Sequence, residues 1–287
     1  MLHAFFIFMN APHLLVDVRN ALYRAIYAVK SDRRHEVKHH YFVALLRQMS
    51  NWINVHRPEA VHVFWDAPRA TVWRRKVSAT YKDRTVSQYV EDISEDLART
   101  TEVAKAFFQH MNVRQYERRE MEADDLIYAA VSVLHPKNTV IVSTDSDMIQ
   151  IPYTFNSSAV YHPRDASIVA VPEINPVWQK ALVGDDSDSI AGYRGIGPKK
   201  SATILSGHNA LQDFLGTVDK QVFYRNLLLI DLSANPRLLA NKIYFQSNYC
   251  KPTQFDDTKI NELIKQYHVN GMLSEYADII PHFKALK

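Results

Sequence analysis

Residues 139–147 read TVIVSTDSD, a short β-branched apolar run that ends against two carboxylates, Asp145 and Asp147. Two other stretches repeat the arrangement: HLLVD (13–17) closes on Asp17 and VHVFWD (61–66) closes on Asp66. Short apolar runs of this kind suit strands buried on both faces of a sheet. Working outward, RNALYRAIYAV after Asp17 has helical apolar spacing, so residues 13–29 read as strand then helix. Residues 41–58 form a second amphipathic helix that stops at Pro58, just before VHVFWD. Further helices are expected over 96–111 and along EADDLIYAAVSVLH. This alternation predicts an α/β fold: a central, largely parallel sheet flanked by helices. After about residue 176 the strand signals thin and short helical segments dominate.

If the three strands are parallel neighbours, their carboxyl ends share one edge, where open α/β sheets bind ligands. Glu122, Asp124 and Asp125 in EADD, and Asp185 and Asp188 in GDDSDS, bring the acids of interest to nine. That many carboxylates at one edge would raise one another's pKa unless cations join them. Oxygen-only donors point to hard divalent ions, Mg²⁺ first. Alone, EADD also fits acids complementing a helix dipole, and GDDSDS fits an ordinary loop. Neither alternative explains the strand-end acids.

The chain has 287 residues, 47% of them hydrophobic, enough for a substantial core. Its 34 basic side chains face 31 acidic ones. With the nine acids set aside, 22 remain against 34, a basic exterior around an acidic pocket that suits a polyanionic substrate. Cys250 is the single cysteine, which excludes an internal disulfide and a cysteine-rich zinc site, and a reducing, cytoplasmic setting is expected. The apolar MLHAFFIFMNAP lacks a basic flank and is too short to span a membrane. It reads as a strand lead-in or an overlong start, with Met9 as an alternative initiator.

Two basic segments stand out. Residues 69–95 are highly charged, and Arg74, Arg75, Lys76, Lys82 and Arg84 interleave with Trp73 and Tyr81, a composition suited to single-stranded nucleic acid or to a solvated helix. In GIGPKKSA, Gly195, Gly197 and Pro198 force a tight turn, and a helix begins at Lys199 and Lys200. Backbone N–H groups at such a turn grip a phosphate whatever the base sequence. The cluster Arg33, Arg34, His35, Lys38, His39 and His40 reads as a basic face without the partners of a zinc site.

VDVRNALYRAIYA, VFWDAPRATVWRR, TYKDR, EADD, STDSDMIQI and GDDSDSIAGYRGIGPKKSA together resemble the 5′-nucleases: flap endonucleases, the 5′-nuclease domain of DNA polymerase I, and bacteriophage 5′-3′ exonucleases including those called RNase H. RNLLLIDLSANP (225–236) resembles the phage members in particular. The resemblance implies a PIN-like nuclease core over 1–180, with a helical arch at about 69–105. A helical C-terminal region, 181–287, would carry a helix-three-turn-helix at about 185–210. It implies one Mg²⁺ at Asp17, Asp66, Glu122 and Asp124, and a second at Asp145, Asp147, Asp185 and Asp188, with Asp125 in support and Mn²⁺ as a substitute. Lys82 matches the family's catalytic lysine, with Arg84 beside it. Tyr23 and Arg24 match its Tyr-Arg pair at the site entrance, and Arg74, Arg75 and Tyr81 fall in its DNA-binding arch. The helix-three-turn-helix would bind duplex DNA and K⁺. The implied enzyme is a monomer acting in replication and repair on 5′ flaps, nicked or gapped duplex and RNA·DNA primers, with a single-strand-binding protein as partner and no membrane contact. The alternatives are a PIN-type metal ribonuclease and a non-catalytic junction-binding protein.

Overall fold

The computed structural model describes residues 13–30, 40–68, 71–83, 93–135, 137–251, 253–269 and 274–286. The amino-terminal lead-in, most of the basic cluster at 33–40, the middle of the expected arch and Arg84 lie outside them.

The three quoted stretches are neighbouring parallel strands. β1 (His13–Asp17) is followed by α1 (Val18–Lys30) and α2 (His40–His56), then by β2 (Ala60–Trp65). A short α3 (Arg74–Val77) and the longer α4 (Ser94–Phe108) precede β3 (Val113–Glu117). Next come α5 (Ala123–Leu134), β4 (Thr139–Val142), α6 (Gln150–Thr154), β5 (Ser158–His162) and β6 (Ser167–Ile168). The sheet order is β3-β2-β1-β4-β5-β6, parallel except for the β5–β6 hairpin. The chain leaves β1 for β2 on one side and reaches β4 on the other, so the switch point lies between β1 and β4. Register pairs Asp17 with Phe64, and Val16 with Val63 and Val142. Asp66 and Asp145 therefore fall just past the ends of the strands that flank Asp17.

Alternation along the strands feeds two cores. Leu14, Val16, Val61, Val63, Val140 and Val142 face one, and Leu15, Phe64 and Ile141 face the other. The first core also takes Ile260, Ile264, Ile279, Ile280 and Phe283 from α12 (Asp257–Gln266) and α13 (Tyr276–Lys284), so these late helices return to the sheet. At the amino edge, His13 Nδ1 lies 2.9 Å from His62 Nε2, and His62 Nδ1 lies 3.1 Å from the Tyr116 hydroxyl, which satisfies these buried polar groups mutually.

Beyond the sheet come α7 (Pro176–Val183), the small antiparallel pair β7 (Gly184–Asp185) and β8 (Ile190–Ala191), α8 (Pro198–Ile204), α9 (His208–Thr217), α10 (Lys220–Ile230) and α11 (Leu238–Tyr249), followed by α12 and α13. A third core joins Val177, Ala181, Leu182, Leu211, Phe223 and Leu229 of these helices to Val72 and Tyr81 from the foot of the arch segment. The apolar cores thus cross residue 180 in both directions. Strands β3, β5 and β6 were not anticipated: VRQYE carries too little apolar signal to announce a strand, although Val113 and Tyr116 face inward.

The β7–β8 pair holds the GDDSDS segment against α7. Gly184 sits at φ +90°, and a Cβ on Gly192 would lie 2.1 Å from the Val183 carbonyl oxygen. Gly192→Ala is therefore expected to cost roughly 1–3 kcal/mol and to lower Tm by roughly 5 °C in a thermal melt. An unchanged Tm would contradict this packing.

Candidate active site

The acids gather at the carboxyl edge of β1, β2 and β4, delivered by strand ends, a capping box and capped 3₁₀ turns. Asp17 ends β1, and its Oδ1 accepts from the Asn20 amide at 3.0 Å. Asp66 accepts from the Ala123 amide at 2.7 Å, which ties the end of β2 to the start of α5. Glu122 is the N-cap of α5 and forms a capping box with Asp125. Asp145 caps a short 3₁₀ turn by accepting from the Asp147 amide at 2.9 Å. Asp185 does the same for Ser187 at 2.8 Å.

Electrostatic contact runs round a closed ring. Asp17 feels Asp66 and Asp145; Asp66 feels Glu122; Glu122 acts on Asp188, to which Tyr81 and Lys82 link it; Asp188 feels Asp185; and Asp185 acts on Asp147, beside Asp145. Burial and these neighbours push the Asp17 carboxyl up to about 7 and Asp147 to about 6. Burial likewise raises Asp66, Asp124 and Asp188. Glu122 goes the other way: burial works upward, but Arg74 and Lys82 outweigh it and draw the group down to about 2.

The cations are fewer than the acids. Asp125, fully buried, is taken over by Arg74, whose two terminal nitrogens donate to Oδ1 and Oδ2 at 3.0 and 3.1 Å, with Trp73 Nε1 at 3.0 Å from Oδ2. Asp125 consequently orients the turn rather than facing the site. Eight acids remain, with Arg19 Nε 3.8 Å from Asp66, Lys82 Nζ 2.6 Å from Glu122, and Lys180 Nζ at 2.5 and 2.6 Å from Asp147 and Asp185. Two groups, Glu122 with Asp124 and Asp125, and Asp147 with Asp185 and Asp188, each bring ligand atoms within 4.8 Å of one another. An all-oxygen donor set that is short of positive charge, with five of its acids raised by burial, fits hard divalent ions.

The basic and aromatic segment corrects the sequence expectation. Arg74 and Tyr81, expected on a DNA-binding surface, are each 1% exposed. Arg74 Nη1 donates to Glu122 at 2.7 Å and Nε to the Leu229 carbonyl at 2.8 Å, while the Tyr81 hydroxyl donates to Glu122 and Asp188 at 3.1 and 3.0 Å. Composition could not say which way a four-residue helix turns. Arg75 stays half-buried beside Asp83. Lys82, at φ 52°, points into the ring and donates its amide to the Asp188 carbonyl at 2.8 Å. Tyr23 lies beneath the Arg19 guanidinium on α1, and Arg24 donates to the Pro163 carbonyl at 3.3 Å. Gly195 takes φ +76°, Gly197 caps α8, and Lys199 and Lys200 are exposed. Asn20, Arg19 and Lys180 escaped the sequence reading. Asn20, on α1 just after Asp17, joins that helix to the segment following β4 through Thr144, at 2.8 Å and 3.1 Å.

Residues 12–174 match the family model described as 5'-3' exonuclease, N-terminal resolvase-like domain. The chain belongs to this 5′-3′ exonuclease family. Among its relatives, the flap endonuclease Xni of Shewanella woodyi is 27% identical over 177 residues, which cover 58% of this chain and 68% of that protein. The 5'-3' exonuclease of Halalkalibacterium halodurans is 27% identical over 228 residues, 71% of this chain and 73% of its own. The D15 protein of T5, crystallised with metal ions, shares the fold at TM-score 0.63 and 17% identity, covering 91% of this chain and 98% of that one. No helix among the described residues is long and apolar enough to cross a membrane.

Two outcomes follow. Arg74→Met leaves buried carboxylates unpaired and is expected to cost roughly 3–5 kcal/mol in urea unfolding; a loss below 1 kcal/mol would contradict the pairing. For the ring, raised acids keep protons in the folded state that the unfolded chain has released, so their contribution to stability falls as pH rises from about 4 to about 7. Divalent ions bind carboxylates in their ionised form, so the Tm gained on adding Mg²⁺ is expected to be larger at pH 8 than at pH 5.5. An equal or smaller gain at pH 8 would contradict the ring.

Proposed function

We propose that the chain is a structure-specific, divalent-metal-dependent 5′-nuclease that hydrolyses phosphodiesters near single-strand to duplex junctions, acting as flap endonuclease and 5′-3′ exonuclease. The observation that carries this reading is the ring of carboxylates at the β1/β4 switch point with Lys82 set into it, in a chain of the 5′-3′ exonuclease family. Asp17, Asp66, Glu122 and Asp124 would hold one ion, and Asp145, Asp147, Asp185 and Asp188 the other; Mg²⁺ is the expected ion and Mn²⁺ a substitute. When bound, such ions activate water and neutralise charge developing on the phosphate.

The chain's own residues do the rest. Arg74 and Trp73 lock Asp125, and through the capping box they hold Glu122 at the site. Tyr81 bridges Glu122 to Asp188 and so fixes the distance between the two acidic groups. Lys82 is 27% exposed and stays charged, because Glu122 and Asp188 outweigh the effect of burial. It is thus available to meet the scissile phosphate. Lys199 and Lys200, with the Gly195 to Gly197 turn, suit the duplex backbone, and Tyr23, Arg24 and Arg75 suit the strand entering the site. Phosphate contacts of this kind carry no direct base readout, so 5′ flaps, nicks and RNA·DNA primers are all within reach. A pure binding module would gain nothing from so much negative charge beside DNA.

The test is cleavage of a 5′-labelled flap duplex in Mg²⁺. The native chain should release product at the junction, and EDTA or Asp145→Asn should abolish it. Lys82→Ala should lower kcat by roughly 10²–10³-fold while duplex binding persists. Tight binding with no cleavage in Mg²⁺ or Mn²⁺ would overturn the nuclease reading.

A further inference from the structure

Lys180 belongs to no motif in the chain, yet it enters the second carboxylate group as closely as Lys82 enters the first. α7 ends at Val183, and Gly184 at φ +90° turns the backbone so that Asp185 comes back beside the helix. The Lys180 ammonium then lies 2.5 Å from Asp147 Oδ1 and 2.6 Å from Asp185 Oδ2, bridging two of the three acids whose ligand atoms converge there. A Mg²⁺ ion would need these oxygens at about 2.0–2.1 Å. The ammonium and a divalent ion compete for Asp147 Oδ1 and Asp185 Oδ2.

The first group differs. There Lys82 lies 2.6 Å from Glu122, Arg74 lies 2.7 Å from Glu122 and 3.7 Å from Asp124, and Arg19 stands 3.8 Å from Asp66, but no lysine ammonium bridges Asp17 to Asp66 among the described residues. Beside Lys180 a cavity of about 300 Å³, lined in part by Ser146, Asp147, Gln179, Pro198 and Ile230, gives the side chain room to swing.

We infer that Lys180 is a resident counterion of the second carboxylate group, which a divalent ion must displace in order to bind. Lys180 therefore weakens binding of the second ion, and that ion's arrival releases a lysine beside the site. The inference rests on the two-cation reading above.

The metal-free protein is titrated with MnCl₂ and free Mn²⁺ is followed by electron paramagnetic resonance. Native protein and Lys180→Gln should each bind two ions, with the first dissociation constant unchanged. The second should be about tenfold lower in the variant, an ordinary size for coupling between competing ligands. A second constant that is unchanged or higher would overturn the inference. In the native protein, a brief acetic anhydride pulse read by peptide mass spectrometry should label Lys180 slowly without metal and about fivefold or more faster with saturating Mn²⁺, again within that range of coupling. Exposed Lys199 serves as the reference. Labelling of Lys180 that is unchanged or slowed by Mn²⁺ would overturn the inference even if the variant failed to fold. Two bound ions with Lys180 unmoved would sink this inference alone, whereas no bound ion would sink the two-cation reading with it.

Discussion

Repulsion among carboxylates gathered at one sheet edge is the constraint on which the rest of the molecule depends. Parallel pairing of β2, β1 and β4 brings Asp66, Asp17 and Asp145 together whatever else the chain does, because each acid ends or follows its strand. Like charges at such range must be protonated, paired or joined by cations. All three solutions are present. Burial and its neighbours push the Asp17 carboxyl up to about 7, Asp125 is paired with a buried guanidinium, and Asp147, Asp185 and Asp188 converge in a group that suits a divalent ion.

The second consequence concerns how the site is braced. Tyr81 and Val72, from the foot of the arch segment, pack into the same core as α7, α9 and α10, the helices around the Gly195 to Gly197 turn. The Lys82 amide also donates to the Asp188 carbonyl. The lysine proposed to meet the phosphate and the element proposed to bind the duplex are thus parts of one packed unit. Lys82 adopts φ 52°, a conformation that costs a non-glycine residue energy and persists only where surroundings over-determine it.

Much of this was legible in the sequence, and the reasons for the rest are physical. TVIVSTDSD, HLLVD and VHVFWD announced strands and acids together, because full burial forces continuous apolar runs that stop where the chain meets solvent. β3 was silent because its polar residues hide its two inward positions. Arg74 and Tyr81 were misread since charge and aromaticity look the same in a sequence whether they face nucleic acid or a buried carboxylate. Lys180 gave no signal, since its meeting with Asp147 depends on a turn at Gly184 and a contact across 33 residues.

Anomalous diffraction from crystals of this protein soaked in Mn²⁺ tests the central claim most directly. The account predicts two manganese peaks at the β1/β4 edge, one among Asp17, Asp66, Glu122 and Asp124 and the other among Asp145, Asp147, Asp185 and Asp188, with Asp125 still bound to Arg74. Peaks elsewhere on the surface, or none at that edge, would contradict it.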